Sequence, residues 1–300
     1  MKMKQLFGTL FLAISFIGTA NAQLLYRVSG NGLEEPSYII GTYHLAPASF
    51  VDDIRGAHEA MAAVEQVYGE VDTENLDRAQ QLMLEAMMLP EGRRIADLFT
   101  EDEMSRINAY VREVMGVDLS NPFVAEQLGR MRPSVLAVQL LMLQYMKITP
   151  DFDATNLIDE YFQKEARKVG KRVGGFESVE FQMELLYGEK SDEEERDELL
   201  ELVDNNAETF ATMQEMTEAY FSFDMKSIRS LTEREFHNGD MTLEEFKELI
   251  TDRNRRWVEA MPEVMREAPT LFVVGAGHLP GNEGVIALLK EAGYKVKPVQ

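Results

Sequence analysis

The 300-residue chain contains no cysteine. That excludes disulfides and thiolate metal ligands, and it leaves nothing to lipidate at a cleavage site. Positive charge is scarce as well. Thirty Lys and Arg face 52 Asp and Glu, for a formal net charge of −22. With no basic patch to offset it, that charge repels nucleic acid and anionic lipid. Only four histidines occur, and no Pro/Ser/Gly-rich linker interrupts the chain. One apolar stretch stands out, Leu6 to Ile17, preceded by Lys2 and Lys4 and followed by Ala20-Asn21-Ala22. It is too short for a comfortable membrane span, and its flanks predict a secretory signal peptide over residues 1–22. The mature chain then carries two lysines fewer, a net charge of −24, and is expected to be exported. The periplasm is the expected compartment, with the extracellular space as the alternative and no membrane association after cleavage.

What is present is a repeat. Tyr38-Ile39-Ile40-Gly41-Thr42-Tyr43-His44-Leu45 and Phe272-Val273-Val274-Gly275-Ala276-Gly277-His278-Leu279 share one pattern. An aromatic and two β-branched residues precede Gly-x-x-His-Leu, so a buried strand ends, glycine turns the backbone, and a histidine follows. Each repeat leads into helical periodicity and then another β-rich run, Val67–Asp72 or Tyr294–Val299. The predicted fold class is α/β: a central mixed, largely parallel sheet built from two strand-GxxH-helix-strand units. A large helical insert spans about 73–261, all within one domain covering 23–300. Ser49 is expected to cap the helix after His44, and Asn282 the one after His278. Ser191-x-x-Glu194 and Thr242-x-x-Glu245 read as capping boxes inside the insert.

Parallel crossovers place ligands beyond the carboxyl ends of the strands, where both histidines fall. Two imidazoles converging there suit a metal site or an acid/base pair. Glu70 lies in a strand otherwise predicted to be buried, where a carboxylate needs a partner or a metal. If that strand neighbours Tyr38–Ile40, Glu70 ends near His44. Glu177 and Gln182, after the strand-like run Lys171–Gly174, are candidates for a supporting role, a third ligand or a helix N-terminus. Arg253 could hold a carboxylate or stabilise an oxyanion. Gly275-Ala276-Gly277 is not a dinucleotide loop, because Pro280 stands at the third glycine position. Asn238-Gly239-Asp240 is not a calcium loop, because Arg234 and Phe236 would fill ligand positions. His58 and His237 read as structural or surface groups.

At these residues the chain resembles the TraB/GumN family, whose animal relatives are the Tiki proteases. Gly41-x-x-His44, Gly69-Glu70-Val71-Asp72, the Phe176-Glu177-Ser178 segment before Gln182, Arg253-Asn254 and Gly275-x-x-His278-Leu279 carry the resemblance, from Leu25 to Val299. It implies a fold related to the erythromycin-esterase and ChaN-like groups and a metal-dependent peptidase. The divalent ion (Mn²⁺, Co²⁺ or Zn²⁺) would be held by His44, His278 and Glu70. Catalytic duty would fall to Glu70, Glu177 and Arg253, with a peptide or small molecule as substrate. A non-catalytic protein that sequesters a peptide or small ligand in the same cleft is the alternative.

Overall fold

The computed structural model describes residues 23–72, 81, 84–188, 190–234 and 242–300. The predicted signal peptide, His237 and Asn238-Gly239-Asp240 lie outside them.

Six strands form one sheet: β1 (Leu25–Ser29), β2 (Ser37–Thr42), β3 (Gln66–Val71), β4 (Arg172–Glu177), β5 (Thr270–Gly275) and β6 (Lys295–Pro298), in the order β4-β3-β5-β2-β1-β6. β1 and β2 pair antiparallel through Leu25↔Ile40, a hairpin whose loop turns at Gly30-Asn31-Gly32, all three at positive φ. β5 pairs parallel with β2 on one side and β3 on the other. Its run Leu271-Phe272-Val273-Val274 is buried throughout, as a strand covered on both faces must be. That apolar run takes the centre of the sheet and corrects the expected pairing: β3 adjoins β5, not Tyr38–Ile40. Glu70 is therefore carried to Gly275. β6 pairs antiparallel with β1, so it runs in the direction of β5, with β2 and β1 between them. Both units thus advance in parallel, and β1 alone of the six strands is reversed.

Helix α1 (Ala57–Ala63) begins after Gly56, which adopts φ +83. This left-handed residue breaks the run, so Ala48–Asp53 forms a separate 3₁₀ segment and Ser49 is not the cap. Between β3 and β5 lie α2 (Glu101–Met115), α3 (Pro122–Gln127), α4 (Pro133–Ile148), α5 (Ile158–Lys168), α6 (Val179–Tyr187), α7 (Asp192–Phe221), α8 (Met225–Thr232), α9 (Leu243–Phe246) and α10 (Asp252–Glu267). Both capping boxes form as expected. The insert is not wholly helical, since β4 extends the sheet beyond β3. Helix α11 (Val285–Glu291) starts after Gly284 rather than at Glu283, whose carbonyl instead accepts from Asn254 Nδ2 at 2.8 Å.

Two apolar cores result. One lies on the sheet, under α1, α5, α8, α10 and α11. The other joins α2, α3 and α4 around Leu136, Leu140 and Ile107. Helix α7 serves both, placing Leu199 and Leu202 in the second core and Ala219 and Tyr220 in the first. It is kinked between them at Asn205 (φ −116, ψ 25). Among the described residues no helix is long and apolar enough to cross a membrane.

Candidate functional site

The carboxyl ends of β2, β3, β4 and β5 lie side by side at one end of the sheet. At the β2–β5 pair Thr42 stands opposite Gly275, so the two histidine turns leave the sheet side by side. The turns are packed closely enough to require glycine. A Cβ on Gly41 would stand 2.8 Å from Leu279 Cδ1 and 3.0 Å from Ala276 Cα.

His278 is 6% exposed and held on both ring nitrogens. Asn254 uses its amide nitrogen on the Glu283 carbonyl, so its Oδ1, 2.7 Å from His278 Nδ1, must accept. Arg253 can only donate, and its Nη1 lies 3.2 Å from His278 Nε2. Both bonds specify the same neutral ring, with the proton on Nδ1 and the lone pair on Nε2. Burial pushes its pKa down to about 4, with Glu70 opposing and Arg253 reinforcing the shift. The Trp257 ring, 4.6 Å away between centroids, walls it in.

Glu70 and Glu177 converge on the same arginine. Arg253 Nη2 donates to Glu70 Oε2 at 2.6 Å and to Glu177 Oε2 at 2.8 Å, and its Nε donates to Glu177 Oε1 at 2.9 Å. Gln182 Nε2 ties the two carboxylates together, at 3.2 Å and 3.0 Å. Trp257 Nε1 donates to Glu177 Oε1 at 3.0 Å, and the Gly275 amide donates to Glu70 Oε1 at 2.8 Å. Burial alone would raise the Glu70 pKa. Positive charge on His278 when protonated, Arg253 and the Gly275 amide outweigh it, so Glu70 stays below the usual carboxylate range. Arg253, itself 7% exposed, remains a cation because its bonds to Glu177 and Glu70 overcome its burial.

His44 has a different environment. Its side chain is 83% exposed, and its Nδ1 lies 3.2 Å from Asp159 Oδ2. Asp159 stands in the first turn of α5, where Thr42 Oγ1 donates to its Oδ1 at 2.6 Å. Its Oδ2 is buried and takes no well-aligned hydrogen bond. The Asp159 contact and charge raise the His44 pKa to about 9, with the Glu70 charge adding to the rise. Asp159 in turn is lowered, because the His44 and Thr42 bonds outweigh its burial.

Of the five residues singled out from sequence, Glu70, Glu177 and His278 are joined through Arg253, while His44 leaves the neighbouring turn and pairs with Asp159. Sequence reasoning missed Asp159 and Trp257. Asp159 carries no local signal, since only the fold brings it to His44. Trp257, the one tryptophan in the chain, lies four residues after Arg253 and so on the same helix face, which could have flagged it. His58 is a surface group, as expected, bonded to Asp52 at 2.7 Å.

Two donors of the kind a divalent ion takes are present, a neutral imidazole with its Nδ1–H pinned and an ionised carboxylate. No three His, Cys, Asp or Glu among the described residues are gathered closely enough to hold one, and the Arg253 guanidinium already occupies Glu70 Oε2 and His278 Nε2.

The chain matches the TraB/PrgY/gumN family model over residues 24–298. Relatives include the "Metalloprotease TIKI homolog" of Nematostella vectensis, 21% identical over 88% of this chain and 65% of that protein. "Metalloprotease TIKI2" of Danio rerio is 23% identical over 87% and 58%, and "Metalloprotease TIKI1" of Homo sapiens is 25% identical over 93% and 64%. The chain spans less than two thirds of the length of these relatives. No solved structure matches significantly. With a match across nearly the whole described chain, the protein belongs to the TraB/PrgY/gumN family.

Proposed function

We propose that the chain is an exported metal-dependent hydrolase that cuts peptide bonds. The observation that carries this reading is the neutral His278 ring, clamped by Asn254 so that its Nε2 lone pair meets Arg253, which also holds the Glu70 carboxylate. The name metalloprotease, borne by relatives at 21–25% identity, supports the same chemistry. To hold Mn²⁺, Co²⁺ or Zn²⁺, His278, Glu70 and His44 would have to draw together and displace the Arg253 guanidinium, and the ion would then supply a Lewis acid and lower the pKa of bound water.

The remaining roles belong to the chain's own side chains. Asn254 fixes the His278 tautomer. Glu177, tied to Arg253 and Trp257, orients the guanidinium and can accept a proton from water entering the cleft. Arg253 faces negative charge developing on a substrate carbonyl. It also competes for Glu70 and His278 with any bound cation. Asp159 keeps the His44 proton in place, so ligation through His44 must release it and metal affinity should rise from pH 6 to 9.

The test combines metal analysis of tag-free protein with peptide-library cleavage by the wild type, Glu70→Gln and His278→Ala. Chelation and either substitution should abolish cleavage, and added metal should restore only the chelated wild type. Cleavage that survives both chelation and His278→Ala would overturn the reading. A second reading, a non-catalytic peptide-binding protein, is favoured by Arg253 already neutralising the cleft. Ligand binding with neither metal nor turnover would support it.

A further inference from the structure

A cavity of about 920 Å³ runs from the site along α7, with α4 on its other side and α8 and Leu249–Ile250 closing it. This is near the upper end of the range for ligand pockets. Three of its wall residues abut the site. Tyr43 precedes His44 and is braced by Thr217 at 3.0 Å. The Leu249 carbonyl accepts from Arg253 Nη1 at 3.1 Å. Thr232 lies against Gly277 in the His278 turn, 3.0 Å from where a Cβ would be.

The cavity is chemically graded along α7. At the site end, Met213 and Met216 face Leu231 and Leu249, an apolar and adaptable wall. Beyond them come Glu208, then Glu201 and Glu198, opposite Val138, which is 59% exposed. Glu198 is paired with Lys190, and Arg234, the one basic residue among the described residues lining the cavity, is paired with Glu215 at 2.6 Å. Glu201 accepts only from Asn205 Nδ2, at 2.7 Å. Neither Glu201 nor Glu208 has a cationic partner among the described residues. Glu198 to Met216 is a rise of ~27 Å at 1.5 Å per residue. An extended peptide covers that span with about eight residues. Measured from Met216, Glu208 lies ~12 Å along the helix and Glu201 ~22 Å, or about four and seven peptide residues away.

We propose that this groove seats the substrate, an unfolded peptide segment that is apolar at the Met216 end nearest the site and carries Lys or Arg about four and seven residues beyond that end. The proposal rests on the hydrolase reading and names its substrate class. Graded charge outside the chemistry steers and registers the chain without touching the reacting atoms.

The test uses the full mature chain with Mn²⁺, Co²⁺ or Zn²⁺ and two fluorescent peptides that share an apolar centre. One carries Lys at the two distal positions and the other Glu. Cleavage and anisotropy binding are both read, for the wild type and for the double variant Glu201→Lys/Glu208→Lys. Both substituted residues are exposed and lie outside the site, and a melting curve checks that the fold is kept. The wild type should prefer the Lys peptide about tenfold in kcat/KM at low salt, less so in 0.5 M NaCl, and the variant should reverse the preference. Equal cleavage of both peptides, or an unchanged preference in the variant, overturns the groove assignment and leaves the hydrolase reading standing. Charge-selective binding without cleavage overturns the hydrolase reading and supports the groove. No binding and no cleavage overturns both.

Discussion

The two Gly-x-x-His turns share a sequence pattern and a sheet edge, yet their imidazoles are opposites. His44 is 83% exposed and raised to about 9 by Asp159, whereas His278 is 6% exposed and lowered to about 4 by burial. The strand-end pattern sets where each ring leaves the sheet. What each ring becomes is set by a helix outside the repeated pattern, α5 for His44 and α10 for His278. A pair of titrating groups pushed apart in this way divides labour: one holds a proton and the other offers a lone pair.

The largest expected effect is on the His278 side. Arg253→Met would leave Glu70 and Glu177 buried together without their cation, and should cost about 3–5 kcal/mol in urea unfolding. A loss below ~1 kcal/mol would mean that the carboxylates are solvated and the contrast with His44 is overdrawn.

Acid should expose the same asymmetry. The unfolded chain takes up the His278 proton near pH 6.5 and the folded chain only near 4, so stability should fall as pH drops through that window, by about 3 kcal/mol from this group. His44 has the reverse sign. Its contribution is present below pH 6.5 and lost as pH rises toward 9, but its exposure limits it to about 1 kcal/mol or less. Unfolding curves in the wild type and His278→Phe separate the two limbs. An acid limb that persists unchanged in His278→Phe would assign it elsewhere.

Asn254→Ala should cost about 1–3 kcal/mol by leaving the His278 Nδ1–H unpartnered, and should mix the ring's tautomers in ¹⁵N spectra. Smallest of all, Asp159→Asn should change stability by less than ~1 kcal/mol while returning the His44 titration toward its ordinary value. A large stability loss with an unmoved titration would make Asp159 a purely structural group.

Much of this arrangement was legible in the chain. Strand patterning and the repeated glycines located both histidine turns, and a carboxylate in the otherwise apolar β3 run marked Glu70. Strand order was less legible, because local pattern says which segments are strands but not which neighbour each finds. The insertion of β5 between β2 and β3 moved Glu70 from the expected side of His44 to the amide of Gly275. The partner of His44 had no local signature at all. Asp159 is one acid among 52, distinguished only by the packing of α5 against the sheet and the Ala48–Asp53 segment.

The most direct test follows the imidazole ¹H–¹⁵N signals while zinc is added to the protein. Those of His44 and His278 should shift together and saturate at one equivalent, while His58, bonded to Asp52 on the surface, stays put. If only one of the two responds, or neither does at millimolar zinc, the matched turns do not build a shared ion site.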